Sequence, residues 1–107
     1  MNRWNVKMNK HLNLDSATLT HFCESHHIQS LALFGSVLKG TNRPDSDIDL
    51  LVEFDPKNIP GLLGIAAMEQ ELSELLNGIP VDLRTPQDLS HYFREEVMRT
   101  AELHYVR

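Results

Sequence analysis

Three aspartates set the first question. Asp47 and Asp49 stand two apart at the head of the apolar run DIDLLVEF, and Asp82 sits inside the short run IPVDL. In a strand, residues two apart share a face. The first two carboxylates then point the same way, with Cα atoms about 6.5–7 Å apart at ~3.3 Å of rise per residue. Carboxylates that close repel, and burial raises the pKa of at least one of them. A divalent cation offsets that cost: such ions are hard, take oxygen ligands, and are often held by one or two carboxylates together with substrate phosphates. In two-metal phosphoryl-transfer sites the ions lie ~3.5–4 Å apart, and one carboxylate commonly bridges them. The plainer reading of Asp-x-Asp is a solvated strand start, because the preceding PDSD is good turn chemistry.

Three further features bear on the choice. Gly35-Ser36 follows directly on the apolar run SLALF. Glycine permits a tight turn and close backbone approach, and a serine hydroxyl with helix-start amides can hold a phosphate. Taken alone, Gly-Ser is usually only a turn. Asp82 lies among apolar neighbours in a strand-like run, where an aspartate is disfavoured without a job or a partner; Arg84, on the same face, is the structural alternative as an ion-pair partner. Lys39 and Arg43 lie between the serine and the aspartates, where they could meet a polyphosphate or stand as solvated loop charges, the simpler reading for Lys39.

The elements that must position these residues are legible in outline. Residues 1–14 read as an N-terminal tail, with Trp4 and Val6 its only docking features, and 15–107 as one domain. A helix starts at Asp15 or Ser16, either of which caps it, and puts Leu19, Phe22, Cys23 and His26 on one face. Residues 30–34 form a buried strand, VLKG is a short helical turn, and TNRPDS is loop. Residues 47–54 form a second strand, central in its sheet because Leu50, Leu51 and Val52 run consecutively and both faces must be covered. From Leu62 to Leu76 a helix carries Ile65, Met68, Leu72, Leu75 and Leu76 at helical spacing, and Gly78 ends it before Pro80. Residues 79–83 are a third strand. Thr85-Pro86 opens a last helix with Leu89, Phe93 and Val97 as its stripe; REE at 94–96 reads as its solvated face. The order points to an α/β domain with a small mixed sheet of about three strands packed with helices.

Composition excludes several classes. A length of 107 residues, 41% hydrophobic and 23% charged, is that of one ordinary globular domain. The net charge of −5 argues against direct nucleic-acid binding, which needs a basic face. One cysteine, Cys23, excludes an internal disulfide and fits a reducing compartment; on an amphipathic helix it reads as a buried thiol. No apolar run reaches the roughly 20 residues of a membrane span. The polar N-terminus lacks the apolar segment of a secretory signal, so the cytoplasm is expected. None of the six histidines pairs at the i, i+4 spacing of a zinc helix.

Gly35-Ser36, ten residues, Asp47-x-Asp49 and a third aspartate on a later strand together resemble the signature of the DNA polymerase beta-like nucleotidyltransferase superfamily. GSVLKGTNRPDSDIDLLVEF with VDLRTPQDL resembles its small stand-alone branch, the minimal nucleotidyltransferases, many of which are MNT-type antitoxins encoded beside a HEPN-type ribonuclease toxin. The resemblance covers roughly residues 15 to 104 and implies the nucleotidyltransferase fold. It implies that Asp47 and Asp49 ligate two Mg²⁺ ions, and that Asp82 is the third carboxylate, on the catalytic metal and helping to deprotonate the attacking hydroxyl. Gly35 and Ser36 would hold the nucleotide's phosphates. Arg43 falls in the RPDSD segment of this branch and is grouped with the nucleotide-binding residues, without a firm role. ATP is the implied donor. The implied acceptor is a tyrosine hydroxyl of the cognate HEPN toxin, which AMP would block; a stable toxin complex goes with it, and Trp4, Tyr92 and Val106 are candidates for its contacts. A small-molecule nucleotidyltransferase subunit of the aminoglycoside-modifying kind, or an antitoxin acting by binding alone, would use the same residues differently.

Overall fold

A computed structural model describes residues 12, 14–34 and 48–107. Gly35, Ser36, Lys39, Arg43, Asp47, Trp4, the VLKG turn and the TNRPDS loop lie outside the described residues, as does the side chain of Tyr92. The elements are α1 (Ser16–Ser25), β1 (Ile28–Phe34), β2 (Ile48–Phe54), α2 (Leu62–Leu75), β3 (Val81–Arg84), a 3-10 turn (Pro86–Asp88), α3 (His91–Thr100) and β4 (Glu102–Val106).

The four strands form one sheet in the order β3-β2-β1-β4. β1 pairs antiparallel with β2 and with β4, while β2 pairs parallel with β3. A parallel pair needs a crossover, and α2 supplies it. The small mixed α/β sheet is as the sequence implies, with one strand more than the three expected. β2 is interior, flanked by β1 and β3, as its consecutive apolar residues require.

Strand alternation sorts the sheet into two faces. Ile48, Leu50, Val52 and Phe54 of β2 join Leu31 and Leu33 of β1 and Leu83 of β3 in the main core, against Leu19, Phe22 and Cys23 of α1 and Met68 and Leu72 of α2. Leu12 and Leu14 are buried in this same cluster, so the core reaches ahead of Asp15. Leu51 faces the other way and packs with Phe34, Leu89 and Val97, so α3 covers part of the opposite face. Asp49 and Leu51 are two apart and share that second face. By the same alternation, Asp82 and Arg84 oppose core-facing Leu83.

Two stops are chemically explicit. Beyond α2, Asn77 and Gly78 adopt positive φ (62° and 89°). The Gly78 amide donates to Ser73 O at 2.8 Å and the Asn77 amide to Glu74 O at 3.3 Å, the paired closure of a Schellman motif. The last helix does not begin at Pro86: a 3-10 turn ends at Asp88, Leu89 is extended, and α3 starts afresh at His91 behind the Ser90 cap. The break is stabilised from both sides. Leu89 is drawn into the second core, and Arg94 reaches back with Nε donating to Pro86 O at 2.7 Å and Nη2 to Leu89 O at 3.3 Å. Arg94 is therefore half-buried structure, not part of a solvated face; Glu95 and Glu96 are exposed.

Candidate active site

The parallel register of β2 and β3 puts Asp49 opposite Asp82. Strands in a sheet lie about 4.8 Å apart, so these two carboxylates, 33 positions apart in sequence, start from adjacent backbone positions on one face. Phe34, the last residue of β1, is the register partner of Asp49 on its other side. The sheet therefore presents Phe34, Asp49 and Asp82 side by side.

These three residues line a cavity of about 380 Å³. Its other wall is the segment between β3 and α3: Asp88, Leu89 and Ser90, with Phe93 from the first turn of α3. That wall is built by local chemistry. Asp88 accepts from the Thr85 amide at 3.2 Å, which closes the 3-10 turn. Ser90 Oγ accepts from the Phe93 amide at 3.3 Å, which caps α3. Phe93 stays 47% exposed at the rim while Leu89 is buried at 8%. The hollow thus joins an apolar wall to a carboxylate-bearing sheet edge, an arrangement suited to a ligand with a flat apolar part and a charged part.

Asp82 is held from two directions. Its strand is an edge of the sheet, and α2 answers one backbone donor there: the Leu83 amide donates to Glu69 Oε2 at 2.8 Å. Its own carboxylate accepts from Arg84 Nε at 3.1 Å, with the two side chains 37% and 49% exposed respectively. The ion pair weighed from sequence as the structural alternative is present, and it coexists with the placement beside Asp49. Exposed pairs of this kind add little stability, so the pairing does not by itself explain an aspartate in mid-strand.

The donor set can be tested against a metal. Two register-paired carboxylates at a cavity edge are hard oxygen ligands of the type magnesium takes, and the fit holds for Asp49 and Asp82. Among the described residues no group of three metal-ligating side chains occurs; Asp47, the third carboxylate of the motif, lies outside them. The structure thus brings together two of the residues singled out from sequence, and Gly35, Ser36, Arg43 and Asp47 rest on the motif. Asp88, Ser90 and Phe93 were not anticipated as site residues. Their signal was the second cap at Ser90, which moves α3 away from Pro86 and opens the wall.

His104 is buried in β4, with its ring nitrogen Nε2 2.8 Å from Glu102 Oε1, and His26 Nε2 lies 3.0 Å from Glu71 Oε1. No helix among the described residues is long and apolar enough to cross a membrane.

Comparison with known proteins follows the same lines. The family profile described as "Nucleotidyltransferase domain" matches residues 16–104. Protein adenylyltransferase MntA of Thermococcus cleftensis is 36% identical over 76 residues, which is 71% of this chain and 74% of that protein. MJ1379 of Methanocaldococcus jannaschii, provisionally named a protein adenylyltransferase, is 36% identical over 66 residues; the match spans 62% of this chain and 65% of the relative. Among solved structures, a toxin–antitoxin crystal structure with AMP-PNP is similar with a TM-score of 0.69 at 22% identity, covering 88% of this chain and 75% of that one. A complex of tri-AMPylated Shewanella oneidensis HEPN toxin with its MNT antitoxin gives 0.61 at 18%, covering 86% and 70%. At those identities the two structures bear on the fold alone.

Proposed function

The chain belongs to the nucleotidyltransferase domain family, and on that premise we propose that it is a Mg²⁺-dependent protein adenylyltransferase serving as the antitoxin of a HEPN-type ribonuclease toxin. The observation that carries the reading is the register pairing of Asp49 with Asp82 at the edge of the cavity. It gathers carboxylates from distant parts of the chain where a metal–nucleotide would need them. The relatives' names support the same direction, and the toxin–antitoxin neighbours share the fold.

The reaction is in-line transfer. A tyrosine hydroxyl oxygen of the toxin attacks the α-phosphorus of ATP, the bond to the bridging α–β oxygen breaks, and pyrophosphate leaves with that electron pair. Asp47, Asp49 and Asp82 would hold magnesium, which when bound would supply charge neutralisation on the phosphates and a lowered pKa for the attacking hydroxyl. This chain's own contributions are positional. Asp82 stands at the cavity edge as the base toward which the hydroxyl proton moves. Gly35 and Ser36 would hold phosphate oxygens, and Arg43 is grouped with them as a nucleotide-binding residue. Leu89 and Phe93 add apolar lining to the same hollow. The cytoplasm, where toxin, ATP and a lone reduced Cys23 coexist, is the matching setting.

The test mixes the chain with the product of its neighbouring gene, Mg²⁺ and ATP, and reads the partner's intact mass. AMP-sized increments on the partner, absent with Asp49→Asn and with Asp82→Asn, support the reading, with a tyrosine expected at the modified site on peptide mapping. An unmodified partner that both variants still neutralise overturns it in favour of neutralisation by binding.

A further inference from the structure

Arg84 is the one cation among the described residues that line the cavity, and it shares that lining with three carboxylates, Asp49, Asp82 and Asp88. Its Nε is engaged by Asp82 Oδ2 at 3.1 Å. Among the described residues its two terminal amino groups make no hydrogen bond, and its side chain is 49% exposed. A guanidinium presents five donors in a rigid fork suited to carboxylate and phosphate oxygens alike. The ligand the family takes carries several phosphate charges, and the described lining holds three carboxylates to one guanidinium. Something on this wall must change partner when such a ligand arrives.

We propose that Arg84 is a two-position residue: it holds the Asp82 carboxylate in the ligand-free protein and moves to the nucleotide's phosphates once the carboxylates take up a divalent cation. This deepens the proposed function and rests on its assignment of the carboxylates as metal ligands. In the first position Arg84 offsets the like charges that the register forces together at Asp49 and Asp82, and it competes with the cation for Asp82. In the second it supplies a fork to phosphate oxygens. Arg84 is a positioning residue in the ligand-free state and a binding residue in the loaded one. It is reached from sequence by alternation alone, since residues 82 and 84 share a face of β3.

The two positions give effects of opposite sign, which a merely structural role would not. In Arg84→Gln, Mn²⁺ measured calorimetrically on the nucleotide-free protein binds about two- to fivefold more tightly, the scale of an exposed ion pair. The same variant binds the non-transferable analogue of ATP with a methylene bridge between the α- and β-phosphates, in the presence of Mn²⁺, about tenfold more weakly, the scale of a charged hydrogen bond. Arg84→Lys recovers most of the analogue affinity, because an ammonium still attracts phosphate. The melting temperature of Arg84→Gln without ligands stays near that of the parent, which excludes misfolding as the cause. Asp49→Asn separates the premises. If the parent chain binds Mn²⁺ and Asp49→Asn does not, the metal assignment stands, and an Arg84→Gln variant with both affinities unchanged, or both weakened, overturns the two-position proposal alone. If Asp49→Asn binds Mn²⁺ as the parent does, the metal assignment fails and takes this proposal with it.

Discussion

Replacing Arg94 with methionine should loosen the cavity wall from a distance. The methionine keeps much of the apolar stem and removes two donors, leaving Pro86 O and Leu89 O without the bonds that Arg94 makes at 2.7 and 3.3 Å. Hydrogen bonds from a charged donor contribute about 1.5–3 kcal/mol each. The site is half-buried and the second bond is long, so water restores part of the loss. A total of about 2 kcal/mol follows, the lower part of that range. For a domain of this size 1 kcal/mol moves the melting temperature by about 4–8 °C, so the variant should melt about 10 °C lower. Urea denaturation gives the free energy directly. Hydrogen exchange locates it: the amides of Asp88 and Leu89, bonded to Thr85 O and Pro86 O, should exchange faster while those of β1 and β2 change only with global stability. Because Asp88, Leu89 and Ser90 line the same cavity as Asp49 and Asp82, affinity for the ATP analogue should fall severalfold well below the melting transition. Arg94→Lys should fall in between, having the charge without the fork. A methionine variant within about 0.5 kcal/mol of the parent, the range of an ordinary surface change, with unaltered exchange at 88 and 89, would refute the reasoning and return Arg94 to a solvated helix face.

Gly78→Ala should cost about 1 kcal/mol in urea, because φ of 89° disfavours a Cβ although nothing lies within 4 Å of one; an unchanged midpoint would show that the stop of α2 can relax. Cys23 is fully buried in α1, and burial, with Glu24 adding to it, pushes its thiol from 9.0 up to about 12. The unfolded thiol then ionises first, so stability is flat below pH 9.0 and falls as pH rises from there toward 12. Cys23→Ala should flatten that alkaline limb, and a thiol-exchange reagent at pH 8 should label the parent only after unfolding; rapid native labelling would contradict the burial. At the other end of the scale, the Lys57 amide first, then the Arg107 guanidinium, holds the Asp55 carboxyl below its ordinary 3.8. Its contribution is complete above that value and is lost as pH falls through the lowered one. Asp55→Asn should make the acid limb of an unfolding series shallower, and superimposable limbs would dismiss the effect.

Some of this architecture is written locally. Leu50-Leu51-Val52 in a row demand cover on both faces, and β2 is interior. Met68 and Leu72 recur at helical spacing, and α2 buries them; Leu75 at the same spacing stays 38% exposed. Asn77 and Gly78, both at positive φ, end that helix together. Asp82 stands out by residue type, an aspartate set between Val81 and Leu83. These features follow from a residue's own backbone preference or from its near neighbours, so sequence alone is enough to read them.

β4 is a different matter. Its pattern is inverted, with His104 buried at 2% while Leu103 and Val106 are 52% and 63% exposed, so hydrophobic alternation gives no strand there. Pairing with β1 decides it, and Glu102 beside the ring makes the buried histidine tolerable. The restart of α3 at His91 likewise depends on Leu89 finding Phe34 and Leu51 across the chain. The site is the clearest division of labour. Sequence chose the carboxylates, because only their residue type supplies hard anionic oxygens. That Asp49 faces Asp82, and that Arg84 and a wall from residues 88–93 stand around them, was decided by the β2–β3 register and the second core. Both are long-range pairings whose partners no local window of sequence contains.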